Sequence, residues 1–155
     1  MTFQILNSKE KEKIFIQLKE NFGISKLQGI LTKSGKEKIF LFQGDFTVEE
    51  IQNLEKIVPV ERIGIYFAKY LSNNEVKLSL DGVELLKNQI TKNILELNKE
   101  QAQEWMSGNE IPIKTNSRNF LIIKYQDYLL GTGKASEEKI TNFIPKVRRL
   151  KKCPN

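Results

Sequence analysis

Two apolar runs near the C-terminus constrain the fold most. Residues 120–125 and 128–131 are separated only by Gln126 and Asp127, and the second run leads directly into Gly131-Thr132-Gly133-Lys134. A two-residue gap between β-forming runs predicts a tight hairpin. Both runs are apolar at consecutive positions rather than alternate ones, so each strand must be covered on both faces, as where a small barrel closes around its interior. The two glycines permit close backbone approach or conformations closed to other residues, which predicts a turn there. The motif lacks the spacing and Lys-Ser/Thr ending of a P-loop, and it lacks the third glycine and following helix of a dinucleotide fingerprint.

Charge supports a polyanionic partner. Residues 111–155 hold 10 Lys/Arg against 3 Asp/Glu, while the other 110 residues hold 15 against 16, so the net +6 of the chain belongs to its C-terminal end. Within that end Lys146, Arg148, Arg149, Lys151 and Lys152 place five cations in seven residues. Such an imbalance favours nucleic acid, although lysine-rich surfaces also occur simply as solvated faces.

Length and composition set the remaining bounds. A chain of 155 residues buries roughly 70% of its unfolded surface, enough for one domain or two small ones packed together. No run approaches the roughly 18 apolar residues that span a bilayer, and residues 1–7 lack the pattern of a signal peptide, so a soluble cytoplasmic protein with no membrane partner is expected. A single cysteine, Cys153, and no histidine leave few metal-site geometries and no internal disulfide; neither cofactor nor metal is expected.

The element pattern is mixed. Asn7-Ser8 precedes a helix over about 9–22 with Ile14, Phe15, Leu18 and Phe22 on one face, and Gly23 ends it. Residues 30–32 and 38–42 read as strands flanking Ser34-Gly35-Lys36. Thr47-x-x-Glu50 is a capping box opening a short helix that Pro59 closes. Residues 62–68 form the next strand, apolar on both faces and so central. The polar cluster Ser72-Asn73-Asn74 is the best candidate boundary between two units, 1–71 and 72–155. Beyond it, 76–80 reads as strand or helix entry, 82–87 as helix and 93–97 as strand. Asn98-x-x-Gln101 caps a helix carrying Ala102, Trp105 and Met106, with Gly108 at its end. A single tryptophan at helical spacing beside Ala102 and Met106 belongs in the core rather than on a base.

Tyr128-Leu-Leu-Gly-Thr-Gly-Lys134 and Asn142-Phe-Ile-Pro-Lys-Val-Arg-Arg149 resemble the PUA-type RNA-binding region found at the C-terminus of Sun-type RNA cytosine-5 methyltransferases and in stand-alone archaeal relatives assigned to ribosome biogenesis. In that family a short apolar strand, Leu-Gly-x-Gly, a gap and an Asn-x-x-Pro-Lys segment with arginines follow one another. Residues 62–68, 92–97 and 100–108 resemble the region before the domain and its early strand and helix; residues 1–59 resemble it only loosely.

The resemblance implies an α+β chain, with a small α/β N-terminal unit followed by a PUA-like β-pseudobarrel that grips structured RNA. It implies that Gly131, Thr132, Gly133 and Lys134 form a binding loop and that Lys146, Arg148 and Arg149 meet phosphates. Charge adds Lys124, Lys151 and Lys152 to that set. Glu137 and Glu138, in the gap between the motifs, would repel a phosphate backbone if they faced it.

An enzyme is not expected. Family methyltransferases need a much longer nucleotide-binding domain and catalytic cysteines, and Cys153-Pro154 has no base or second thiol in its vicinity along the chain. The expected function is therefore non-catalytic binding of RNA, foremost rRNA, in ribosome biogenesis or RNA modification. The alternative is a protein-interaction adaptor that docks a separate methyltransferase or preribosomal protein, with the basic tail merely solubilising.

Overall fold

The polar residues that mark helix starts act as caps in the computed structural model, which describes residues 3–151. Asn7 caps α1 (Ser8–Phe22), Thr47 caps α2 (Val48–Ile57) and Asn98 caps α4 (Lys99–Met106), each in a reciprocal capping box with Glu10, Glu50 or Gln101. Ser79 caps the shorter α3 (Leu80–Leu86) by accepting from the Gly82 amide. Each cap satisfies backbone donors that a helix start otherwise leaves unpaired. The apolar face of α1, with Ile14, Leu18 and Phe22 buried, lies against the first of two sheets.

That first sheet runs in chain order and is antiparallel throughout: β1 (Gln4–Ile5), β2 (Ile30–Ser34), β3 (Lys38–Phe42), β4 (Ile65–Tyr70) and β5 (Val76–Leu78). β4 is flanked by β3 and β5, as its apolar run predicts. The polar cluster Ser72-Asn73-Asn74 does not separate two units. It is the turn between β4 and β5, with Asn74 at φ 67, and strand pairing continues across it. The physical reason is that residues tolerant of positive φ serve a hairpin as well as a linker.

The second sheet contains β6 (Ile94–Glu96), β7 (Phe120–Tyr125), β8 (Tyr128–Ala135) and β9 (Ile140–Asn142) in that order. β6 and β7 are parallel, joined by a crossover through α4, and the other pairs are antiparallel. The β7–β8 hairpin turns at Gln126-Asp127, with Gln126 at φ 52. Ile111 adds a bridge to Ile140 at the far edge. Among the described residues strand pairing does not close this sheet into a ring. Instead α4 packs Ala102 and Trp105 into a core with Leu121, Ile123, Ile140 and Ile144. Trp105 is fully buried and its indole N–H donates to the Leu130 carbonyl at 2.8 Å, so the core role predicted for it holds.

β7 joins the two halves. Phe120 and Ile122 belong to the core under the first sheet, whereas Leu121 and Ile123 belong to the core around Trp105. This double coverage is what an uninterrupted apolar run requires. Helix α3 packs against β4, β5 and β8 and so wedges between the sheets.

Candidate nucleic-acid interface

Gly131-Thr132-Gly133-Lys134 is a stretch of strand β8, not a turn, which corrects the loop expected from its glycines. Between the pairs Ile122–Thr132 and Lys124–Leu129, β8 carries one residue more than β7, and Gly131 sits there at φ 96. A bulge of this kind needs a residue free to take positive φ. Gly133 has a different reason. A Cβ at that position would lie 2.5 Å from Ile140 Cγ2 and 2.8 Å from Trp105 Cη2, so the glycine makes room for the indole. Thr132 is buried, and Lys134 Nζ is held by Glu75 at 2.9 Å while lying 4.2 Å from the Phe120 ring centre. The bond from Lys134 holds the Glu75 carboxyl below the usual carboxylate range, against the opposing effect of burial.

The tail cations are dispersed in role. Arg148 pairs with Asp81 of α3 at 2.9 Å. Arg149 donates through Nε to the Ile144 carbonyl at 3.0 Å, and its side chain lies across Gly108, where any Cβ would collide with it. Lys146 and Lys151 are exposed. Lys124 stands between Glu96 and Leu129 near the β7–β8 turn. Lys152 lies outside the described residues, as does Cys153. Of the two acids between the motifs, Glu137 is paired with Arg118 at 2.6 Å.

A further group of cations lies on the first sheet. Lys38 is opposite Lys69, and Lys69 is opposite Lys77, so three lysines form one row across β3, β4 and β5 on the same face. Like charges directly opposite in a sheet are destabilising. Among the described residues none of the three has a salt-bridge partner within 4.0 Å. Aromatic rings accompany them: Lys38 Nζ is 5.9 Å from the Tyr66 ring centre, Lys77 Nζ is 4.0 Å from that of Phe143, and Phe40 and Tyr66 are 5.7 Å apart. Burial lowers the Lys77 pKa and Lys69 lowers it further, with Glu37 opposing. Burial raises that of Tyr66, with Glu37 adding to the effect. Sequence reasoning missed this row because it depends on strand register, which no local motif reveals.

The row ends at a cleft of about 150 Å³ lined by Tyr66, Lys77, Ser79, Asp81, Thr132 and Phe143, together with Gly131, Arg148 and neighbouring backbone. It is the seam between β5, α3, β8 and the segment after β9. Thus Gly131, Thr132 and Arg148 of the expected set come together here, joined by Tyr66, Lys77, Asp81 and Phe143, which were not expected. Thr132 Oγ1 is buried without a hydrogen-bond partner among the described residues. Such a hydroxyl is costly unless something satisfies it. No helix among the described residues is long and apolar enough to cross a membrane.

Comparison with known proteins places the second sheet. Residues 92–150 match the family model described as "Methyltransferase RsmF PUA domain". The chain is 26% identical over 146 residues to the Ribosomal RNA small subunit methyltransferase F of Psychromonas ingrahamii, covering 90% of this chain and 29% of that protein. It is 25% identical over 145 residues to the protein of the same name from Aeromonas salmonicida, covering 93% and 29%. The chain therefore spans about 29% of the length of these relatives. These relatives are bacterial, whereas the stand-alone proteins named above are archaeal. From β6 to the arginine tail the chain thus resembles the PUA-type domain at the C-terminal region of Sun-type RNA methyltransferases.

Proposed function

We propose that this protein binds structured RNA, foremost rRNA, and does so without catalysing a reaction itself. The observation that carries the reading is the in-register row Lys38–Lys69–Lys77 opening onto the cleft beside Arg148. Folding alone disfavours such a row, whereas a phosphate backbone neutralises it. The relatives' name, a small-subunit rRNA methyltransferase, supports rRNA as the target and rRNA modification or ribosome biogenesis as the setting. The second sheet, curled around α4, acts as the pseudobarrel of a PUA-type domain, and the first sheet supplies the electrostatic surface. Lys146 and Lys151, exposed and close to Arg148 along the chain, add to the charge offered, while Gly133, Lys134 and Arg149 are taken up by contacts within the fold.

Fluorescence anisotropy with a labelled rRNA fragment tests the reading across a salt series. Neutralising about five phosphates gives a log–log slope of roughly −3.5 to −4.5. Salt-insensitive binding, or none, sinks it.

A second reading draws on a different surface. Phe46, Val48 and Val58 are exposed in or beside α2, and Ile57 at its end is 80% exposed. Exposed apolar side chains in one region suit a protein partner, here a methyltransferase or a preribosomal protein. In that adaptor reading, Ile57→Ser abolishes co-purification of the partner while RNA association stays weak and unchanged.

A further inference from the structure

We propose that the cleft between α3, β5, β8 and residues 143–148 receives one unstacked nucleotide of the bound RNA, the base entering the cleft and its phosphate resting on Lys77 and Lys69. The proposal rests on the RNA-binding reading above and names what that site takes. Size is the first argument, since a cavity of about 150 Å³ accommodates a single benzene-sized ring. A base pair does not fit.

Chemistry is the second argument. Phe143 is 38% exposed and presents a ring on which a base can stack, while its other contact, a tilted one, is with Phe120 at 6.2 Å. Lys77 Nζ now lies 4.0 Å from the Phe143 ring centre. A base arriving on that ring displaces the ammonium toward its own phosphate, where Lys69, directly across the strand pair, already stands. Thr132, 5% exposed, is one of the residues lining the cleft, and its hydroxyl is buried with no hydrogen-bond partner among the described residues. A hydroxyl both donates and accepts, so a turn of the Thr132 side chain toward the cleft offers a base edge both kinds of group. Asp81 and Arg148, paired at 2.9 Å, supply one acceptor and one donor at the rim. A cation on an aromatic face, a buried threonine hydroxyl without a partner among the described residues and the end of a lysine row meet at this cleft. One extruded nucleotide engages all three.

The test compares two labelled RNA hairpins identical except for a single bulged uridine, using the full chain and its Thr132→Val and Phe143→Leu variants. The wild type is expected to bind the bulged hairpin about tenfold more tightly, in line with stacking of one base on an aromatic side chain. Thr132→Val and Phe143→Leu are expected to lose most of that preference while keeping their affinity for the fully paired hairpin within about twofold. Thermal melting checks that both variants fold; Thr132→Val, which removes only an unpartnered hydroxyl, is expected to melt no lower than the wild type. Equal wild-type binding to the two hairpins, or variants that keep the full preference, overturns the nucleotide site while leaving RNA binding standing. Failure to bind either hairpin overturns the RNA reading itself, and this site with it.

Discussion

The two ends of the chain differ in how formal charge becomes usable charge. The C-terminal end carries the whole net excess, yet Lys134, Lys139, Arg118 and Arg148 are each paired with a carboxylate, and Arg149 is bound to a carbonyl. The other 110 residues sum to −1, yet they align Lys38, Lys69 and Lys77 on one face without an ion pair among the described residues. A charge count along the sequence thus finds several cations that the fold uses to fasten itself and overlooks the row that strand register leaves available. What reaches a ligand is decided by strand register and by local neutralisation.

Variants can break this contrast from either side. The largest effect is expected from Trp105→Ala, which removes the centre of the second core and leaves Gly133 and Ile140 facing a void. A loss of about 3–5 kcal/mol of stability is expected, read by urea unfolding, and the first sheet is expected to lose support through β7.

Next comes the triple variant Lys38→Gln, Lys69→Gln, Lys77→Gln. Each neutralised phosphate contact is expected to reduce the salt slope by up to about one, and RNA affinity by about 1–3 kcal/mol in total. Stability is expected to hold or rise, because like charges directly opposite are removed. Anisotropy and thermal melting on the same sample separate the two effects. A variant that binds RNA normally erases the distinction between the two ends.

Arg149→Ala sharpens the contrast from the tail. It removes a hydrogen bond to Ile144 and the packing over Gly108, so about 1 kcal/mol of stability is expected to go. Lys146→Ala, at an exposed position, is expected to leave the melting temperature unchanged and to weaken RNA binding alone.

The smallest effect is expected from Glu75→Gln. The carboxyl is held low in the folded chain, foremost by its bond from Lys134. Its contribution is therefore present above the ordinary carboxylate pKa and is lost as pH falls through the lowered folded value. A partly exposed pair of this kind contributes about 0.2–1 kcal/mol. Melting curves of wild type and Glu75→Gln are thus expected to differ near neutral pH and converge at low pH.

Much of the fold was legible because its signals are local. Asn7, Thr47 and Asn98 cap helices within three residues, and Gln126-Asp127 turns one hairpin within two. The Leu-Gly-x-Gly and Asn-x-x-Pro-Lys segments pointed correctly to a PUA-type region. The glycine segment misled because a glycine that admits a neighbour and one that takes positive φ look alike in sequence. Gly133 is the first kind and Gly131 the second, and neither makes a loop. Asn73-Asn74 misled in the same way, since a hairpin and a boundary both call for such residues. Lys69 and Lys77 lie eight residues apart, and only the β4–β5 register sets them side by side.

Lysine footprinting tests the central claim most directly. An amine-modifying reagent is applied with and without a structured rRNA fragment, and the modified sites are read by mass spectrometry. Lys38, Lys69 and Lys77 are expected to be shielded together by RNA, while Lys9 and Lys19 of α1 stay as reactive as in the free protein. Unchanged reactivity of that row in the RNA-bound state, with shielding confined to Lys146 and Lys151, contradicts it.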